Sequence, residues 1–141
     1  MTEFGGVQCL TMEVQPFQQL AVRRAAPGDV RPFVASDEEG GTVQRLRTAI
    51  YRLPSAEFMG ANRSTSEVRY RAADYAKRMR ALGVDMDLAP VADLKVSGYY
   101  IERTDRAFSS RPTTAGAYVT AWHRGMRPQH VLTSAKHWPG H

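Results

Sequence analysis

The residues best suited to chemistry stand at the end of the chain, in Lys136-His137-Trp138-Pro139-Gly140-His141, just after the apolar pair Val131-Leu132. A lysine offers three donors and a positive charge, and a histidine offers a donor and an acceptor. Pro139 removes a backbone donor and fixes a turn, and Gly140 permits a tight backbone path. The pattern predicts a strand that runs out into a binding loop. A second polar cluster, Ser36-Asp37-Glu38-Glu39-Gly40-Gly41, has the same form: acids that follow the apolar run Phe33-Val34-Ala35. Asp37 is acceptor-only when ionised and can take two donors. His137 and His141 have the spacing of a metal pair on a helix, but Pro139-Gly140 between them breaks the helical turn that would bring them to one face. With no third ligand in view, no metal site is expected.

These clusters need elements to hold them. Alternating apolar and turn signals predict a short strand over 6–10 and a helix over about 16–26 that is closed by Pro27-Gly28. A strand over 31–36 runs into 37–41, which reads as loop. Residues 42–62 read mainly as a long loop with a short helix. Ser64 and Glu67 have capping-box spacing, and Val68, Ala72, Tyr75, Ala76 and Met79 then fall on one helical face up to Gly83. A strand follows over 84–91, where Val84, Met86 and Leu88 alternate with Asp85 and Asp87. Residues 92–110 read as loop. Pro112 opens a helix whose buried face is Ala115, Tyr118, Val119, Trp122 and Met126, and 130–135 is the next strand.

Strands that alternate with helices imply an α/β fold with a parallel sheet and crossover helices. In such folds ligand groups gather at the carboxyl ends of the strands. Asp37, Asp93, Lys136 and His137 each follow a predicted strand, so separate segments deliver polar groups to one face.

Composition narrows the function classes. The 141 residues fit one ordinary domain, and 43% hydrophobic with 23% charged content is typical of a globular chain. No run approaches the ~20 apolar residues of a membrane span. The net charge of +5 comes from arginines scattered among acids, not from a basic run with interleaved aromatics, so no nucleic-acid partner is expected. Cys9 is the one cysteine and permits no intrachain disulfide. The N-terminus lacks a basic stretch followed by an apolar core, so no signal peptide is visible and a cytoplasmic location is the expectation.

Taken together, the motifs resemble glycoside hydrolase family 3, in its exo-acting β-N-acetylglucosaminidase branch. Asp37, Glu39, Gly40, Gly41, Val43, Gln44 and Arg45 match the family's acidic loop, with Thr42 in place of the usual Arg. Leu82 to Asp93 is similar to the strand that ends Ala-Pro-Val-Ala-Asp. Asp105-Arg106-Ala107-Phe108-Ser109 resembles Asp-Arg-Ser-Phe-Gly, and Ala135 to His141 resembles the Lys-His-Phe-Pro-Gly-His element, with Trp138 for Phe. The motifs occur in family order and cover most of the chain from about residue 32.

The resemblance implies a (β/α)8 barrel, of which roughly four strands fall in this chain. Residues 1–141 are then expected to be a partial N-terminal barrel domain, truncated at the Lys-His-Trp-Pro-Gly-His motif, with open edges that call for the other half of the barrel as a partner. It implies that Asp37, Arg45, Arg106, Lys136 and His137 bind the terminal sugar of an N-acetylglucosamine-containing saccharide. Arg103 offers a competing alignment for Arg106, and Asp93 orients the site or holds its loops without an assigned role. The implied chemistry is retaining hydrolysis. Its nucleophilic Asp and its His acid/base belong to segments after His141, so no catalytic residue is placed on the chain, and Glu38, Glu39 and His141 are not candidates. No cofactor is implied. A non-catalytic sugar-binding remnant and a β-glucosidase-type specificity are the alternatives.

Overall fold

The computed structural model describes residues 32–141. The strand expected at 6–10 and the helix at 16–26 lie outside the described residues. Among them, three parallel strands form one sheet: β1 (Ala35–Ser36), β4 (Met86–Asp87) and β5 (Leu132–Thr133), with β4 in the middle. Ala35 pairs with Met86 and Met86 with Leu132. Parallel contacts continue past the strand ends. Leu88 N–H donates to the Ser36 carbonyl, Lys136 N–H to that of Pro90, and Ala92 N–H to that of Lys136. The three segments that end in Asp37, Asp93 and Lys136 are thereby drawn to one end of the sheet.

Two long helices cover the sheet. Helix α2 (Thr65–Ala81) begins where the sequence predicts: Ser64 Oγ accepts from Glu67 N–H while the Glu67 carboxylate accepts from Ser64 N–H. Each such cap contributes about 1 kcal/mol. It ends at Leu82, and Gly83 follows with φ +84°. Helix α4 (Pro112–Met126) starts on Pro112, whose missing N–H would have had no helical partner. A single turn of 3-10 helix (Arg127–Gln129) carries the chain into β5. The buried stripe Val68, Ala72, Tyr75, Ala76 and Met79 of α2 meets Tyr118, Trp122 and Met126 of α4, and Val84 and Val131 from the strand entries complete the core.

In three places the structure departs from the sequence expectation. The acidic segment is not a loop. Glu38–Gly40 is strand β2, paired antiparallel with β3 (Val43–Gln44). The turn is made by Gly40 and Gly41, both at positive φ (+89° and +58°), a region that costs other residues about 1 kcal/mol or more. Second, the region 92–110 contains a helical turn, α3 (Tyr100–Arg103), which has no side-chain cap to announce it. The third concerns the strand at β4, where Asp85 and Asp87 are buried along with Val84, while Met86 and Leu88 are half-buried. The Asp face of the strand points toward the helix layer, where Trp122 Nε1–H donates to Asp87 Oδ2 at 3.0 Å. The short helix expected within 42–62 is α1 (Ala56–Asn62), capped by Ser55.

Candidate functional site

Residues two apart in a strand share a face. Asp37, which immediately precedes β2, and Glu39 within it therefore point together toward the end of the sheet. Lys136, just beyond β5, reaches both: its Nζ lies 2.7 Å from Asp37 Oδ1 and also pairs with Glu39 Oε1. Arg106, which follows α3, clamps Glu39 with two parallel bonds, Nε to Oε2 at 2.7 Å and Nη2 to Oε1 at 2.9 Å. Such forked pairs fix geometry as well as charge. The pair with Glu39 raises the Arg106 pKa above its ordinary value, against the effect of partial burial.

His137 connects this cluster to a second one. Its Nδ1 lies 2.6 Å from Asp93 Oδ2, and its Nε2 lies 3.4 Å from Arg106 Nη2. Asp93 also accepts the backbone N–H groups of His137 and His141. A carboxylate on Nδ1 places the ring proton there, which leaves Nε2 as an acceptor turned toward the guanidinium. Tyr100 stacks on His141, with centroids 5.2 Å apart, and the Arg106 guanidinium lies over the Tyr100 ring at 5.8 Å.

Four of the five residues expected from sequence, Asp37, Arg106, Lys136 and His137, thus form one connected cluster, and Arg106 rather than Arg103 supplies the guanidinium. Arg45 relates to it differently. Its backbone N–H donates to the Asp37 carbonyl at 3.3 Å, while its side-chain Nε is buried with no hydrogen-bond partner. The sequence reading left two members of the cluster without a role, Glu39 and Asp93. The signal for Glu39 was its spacing of two from Asp37.

Unused capacity defines what the cluster can do. The Glu39 side chain is only 2% exposed, and its oxygens already take bonds from Lys136 and Arg106. The Asp37 side chain is 24% exposed, and among the described residues only Lys136 binds it, on one oxygen. Among the described residues nothing is bonded to its second oxygen, to a third Lys136 donor or to Arg106 Nη1. Acceptors and charged donors set side by side suit vicinal hydroxyls. Among the described residues no group of three or more His, Cys, Asp or Glu side chains is placed to hold a metal ion, and no helix is long and apolar enough to cross a membrane.

The fold and this cluster define an α/β unit of barrel type with a polar site at the carboxyl ends of its strands. Residues 8–141 match the family model described as Glycosyl hydrolase family 3 N terminal domain, and the chain belongs to that family. Its described architecture is that of part of a (β/α)8 barrel. The chain is 41% identical over 118 residues to Beta-hexosaminidase LpqI of Mycobacterium tuberculosis, a match covering 83% of this chain and 30% of that protein. It is 36% identical over 148 residues to Beta-hexosaminidase of Alkalilimnicola ehrlichii, covering 97% of this chain and 42% of the relative. Among solved structures, Beta-N-acetylhexosaminidase from Beutenbergia cavernae superposes with a TM-score of 0.77 at 32% identity, over 89% of this chain and 39% of that one. The chain therefore spans well under half the length of these relatives.

Proposed function

We propose that this chain supplies the sugar-binding half of a retaining glycoside hydrolase that releases terminal β-linked N-acetylglucosamine from cell-wall-type saccharides. The observation that carries the reading is Asp37: a half-buried carboxylate with one oxygen fixed by Lys136 and the other, among the described residues, without a partner beside two cationic side chains. Asp37 accepts from two sugar hydroxyls, Lys136 and Arg106 donate to their neighbours, and His137 holds Arg106 in place. Arg45, whose backbone N–H holds the Asp37 carbonyl, is the fifth residue of the proposed sugar site. The names of the relatives, beta-hexosaminidase and beta-N-acetylhexosaminidase, support the choice of sugar.

Retaining hydrolysis needs one carboxylate free to attack and a separate acid. Glu39 has its oxygens engaged by cations, Asp93 is engaged by His137, and Glu38 is fully buried, so none suits the nucleophile's role. In this reading the catalytic pair comes from the remainder of the barrel. The engagement of Glu39, Asp93 and Glu38 favours a second reading, in which the chain binds sugar without cleaving it.

The test is titration of the folded chain with N-acetylglucosamine, together with an assay on an aryl N-acetyl-β-glucosaminide. Binding should saturate, and Asp37→Ala should weaken it by roughly 10- to 100-fold, the loss of one or two charge-assisted hydrogen bonds. Absence of binding by folded chain would refute the sugar reading. Hydrolysis by the chain alone would refute the assignment of catalysis to other segments. An intact mass of the native protein above 15.7 kDa would support the partial-domain reading.

A further inference from the structure

Between the two site acids of the β2 segment sits a third that faces the opposite way. Glu38 is fully buried, and it lies beside Asp87, also fully buried. The Glu38 backbone N–H donates to Asp87 Oδ1 at 3.1 Å. That N–H belongs to the peptide that joins Asp37 to Glu38. The carbonyl of the same peptide unit, that of Asp37, accepts from Arg45 N–H at 3.3 Å. The peptide that carries Asp37 is thus held from both sides.

We propose that Asp87 and Glu38 are positioning residues for the sugar site, clamping the Asp37–Glu38 peptide to the core so that Asp37 and Glu39 face the ligand. This inference rests on the sugar-binding reading above. The clamp is anchored in both long helices. Trp122 of α4 donates to Asp87 Oδ2 at 3.0 Å, and the Tyr75 hydroxyl of α2 donates to Glu38 Oε2 at 2.7 Å. Gln44 Nε2 in turn donates to that hydroxyl at 2.7 Å, and Ser36 Oγ and Leu46 N–H serve the other Glu38 oxygen. Every oxygen of the two acids is used.

Stability does not account for this arrangement. Two carboxyl groups taken out of water side by side cost more than the apolar residues that would fill the same space. Burial raises the pKa of both groups, and the charge of Glu38 raises that of Asp87 further while Lys136 lowers it. What two acids provide and apolar residues cannot is a fixed set of acceptors: one for a backbone N–H of the site strand, the others for donors from the helices. The backbone of β2 is thereby tied to α2 and α4 at the one peptide where a displacement would move Asp37.

A substitution at each acid separates orientation from bulk. Above about pH 8 Asp87 is ionised and both its oxygens accept; in Asp87→Asn one of them becomes an amide that must face either Glu38 N–H or Trp122 N–H, so one bond is lost whichever way the group turns. Glu38→Gln can keep Ser36 and Leu46 on its oxygen and leaves the Asp87 bond to the Glu38 backbone in place, while the Tyr75 O–H loses its acceptor. In the 15N-labelled full chain titrated with N-acetylglucosamine above about pH 8, Asp87→Asn should weaken binding by about tenfold or more and shift the Glu38 amide, while Glu38→Gln should stay within about threefold of wild type. In the wild-type chain the Glu38 amide should exchange with solvent far more slowly than the exposed Val96 amide. Fast exchange at Glu38, or unchanged binding in folded Asp87→Asn, would overturn the clamp and leave the sugar reading standing. No binding by folded wild type would overturn both.

Discussion

Helix α4 carries two glycines in opposite surroundings, and replacing each by alanine should move stability in opposite directions. A Cβ added at Gly116 meets nothing within 4 Å. Alanine there gains helix propensity alone, a stabilisation of about 0.5–1 kcal/mol. A Cβ added at Gly125 would lie 2.4 Å from the Arg69 carbonyl oxygen, 2.6 Å from Ala72 Cβ and 3.0 Å from Ala73 N, all on α2. Two of those atoms are backbone and cannot swing aside, so relief requires α2 and α4 to separate locally by roughly 1 Å, the shortfall from an ordinary contact. Overpacking of this kind costs about 1–3 kcal/mol, and rigid backbone neighbours place Gly125→Ala at the upper end. The propensity gain is common to both and cancels, so the two variants should differ by the overpacking cost, roughly 2–3 kcal/mol. Urea denaturation reads the difference directly, since a slope of about 1–3 kcal/mol per molar converts it into well-separated midpoints. If both variants shift the midpoint in the same direction, or Gly125→Ala falls within about 0.5 kcal/mol of wild type, the close approach of α2 and α4 is not what holds the core together.

Two further outcomes follow from the buried network. Tyr75→Phe removes the hydroxyl that donates to Glu38 and accepts from Gln44, and should cost about 1.5–3 kcal/mol by the same urea measurement; a loss below about 0.5 kcal/mol would mean that the network does not act as a unit. Stability should also depend on pH through Asp87, whose pKa burial pushes from the ordinary 3.8 up to about 8. Between those values the folded chain holds a proton that the unfolded chain has lost, so stability falls as pH rises, by at most about 1.4 kcal/mol per pH unit for one proton. The hydrogen-bonded Glu67 and Asp74, whose pKa values are lowered, act in the opposite sense only at more acid pH, where they lose their charge. Comparing wild type with Asp87→Asn from pH 5 to 8 isolates the effect, and parallel profiles would refute it.

The parts of the fold that were legible in the sequence are those with local causes. The capping box at Ser64 and Glu67, the apolar stripe up to Met79 and the proline at the start of α4 each act within a few residues, and the helices form where those signals fall. The β2–β3 hairpin was not legible. A run of Asp-Glu-Glu-Gly-Gly reads as solvated loop unless its middle acid finds buried partners, and Tyr75, which donates to the Glu38 carboxylate, and Asp87, which accepts from its backbone N–H, lie 37 and 49 residues away. Helix α3 has neither a capping side chain nor the length to show a period. The candidate site divides in the same way. Asp37, Lys136 and His137 stood out because each follows a strand. Glu39 and Asp93 gained meaning only once Arg106 and His137 were found against them.

The separation of the site's partners along the chain has a bearing on how the protein is made. Asp37 and Lys136 are 99 residues apart, Glu39 and Arg106 are 67 apart, and Asp93 and His137 are 44 apart. The helix-to-helix core can begin to gather once α4 has been synthesised, but Lys136 and His137 leave the ribosome after the other members of the cluster described here. Until they arrive, Asp37 lacks the cation that Lys136 supplies, and among the described residues Glu39 has only the one supplied by Arg106. Closing loops of this size also makes such contacts slow relative to local helix formation. Competence to hold a ligand is therefore a late event in the life of each molecule, and an unfinished chain can carry well-formed helices without yet having a binding site.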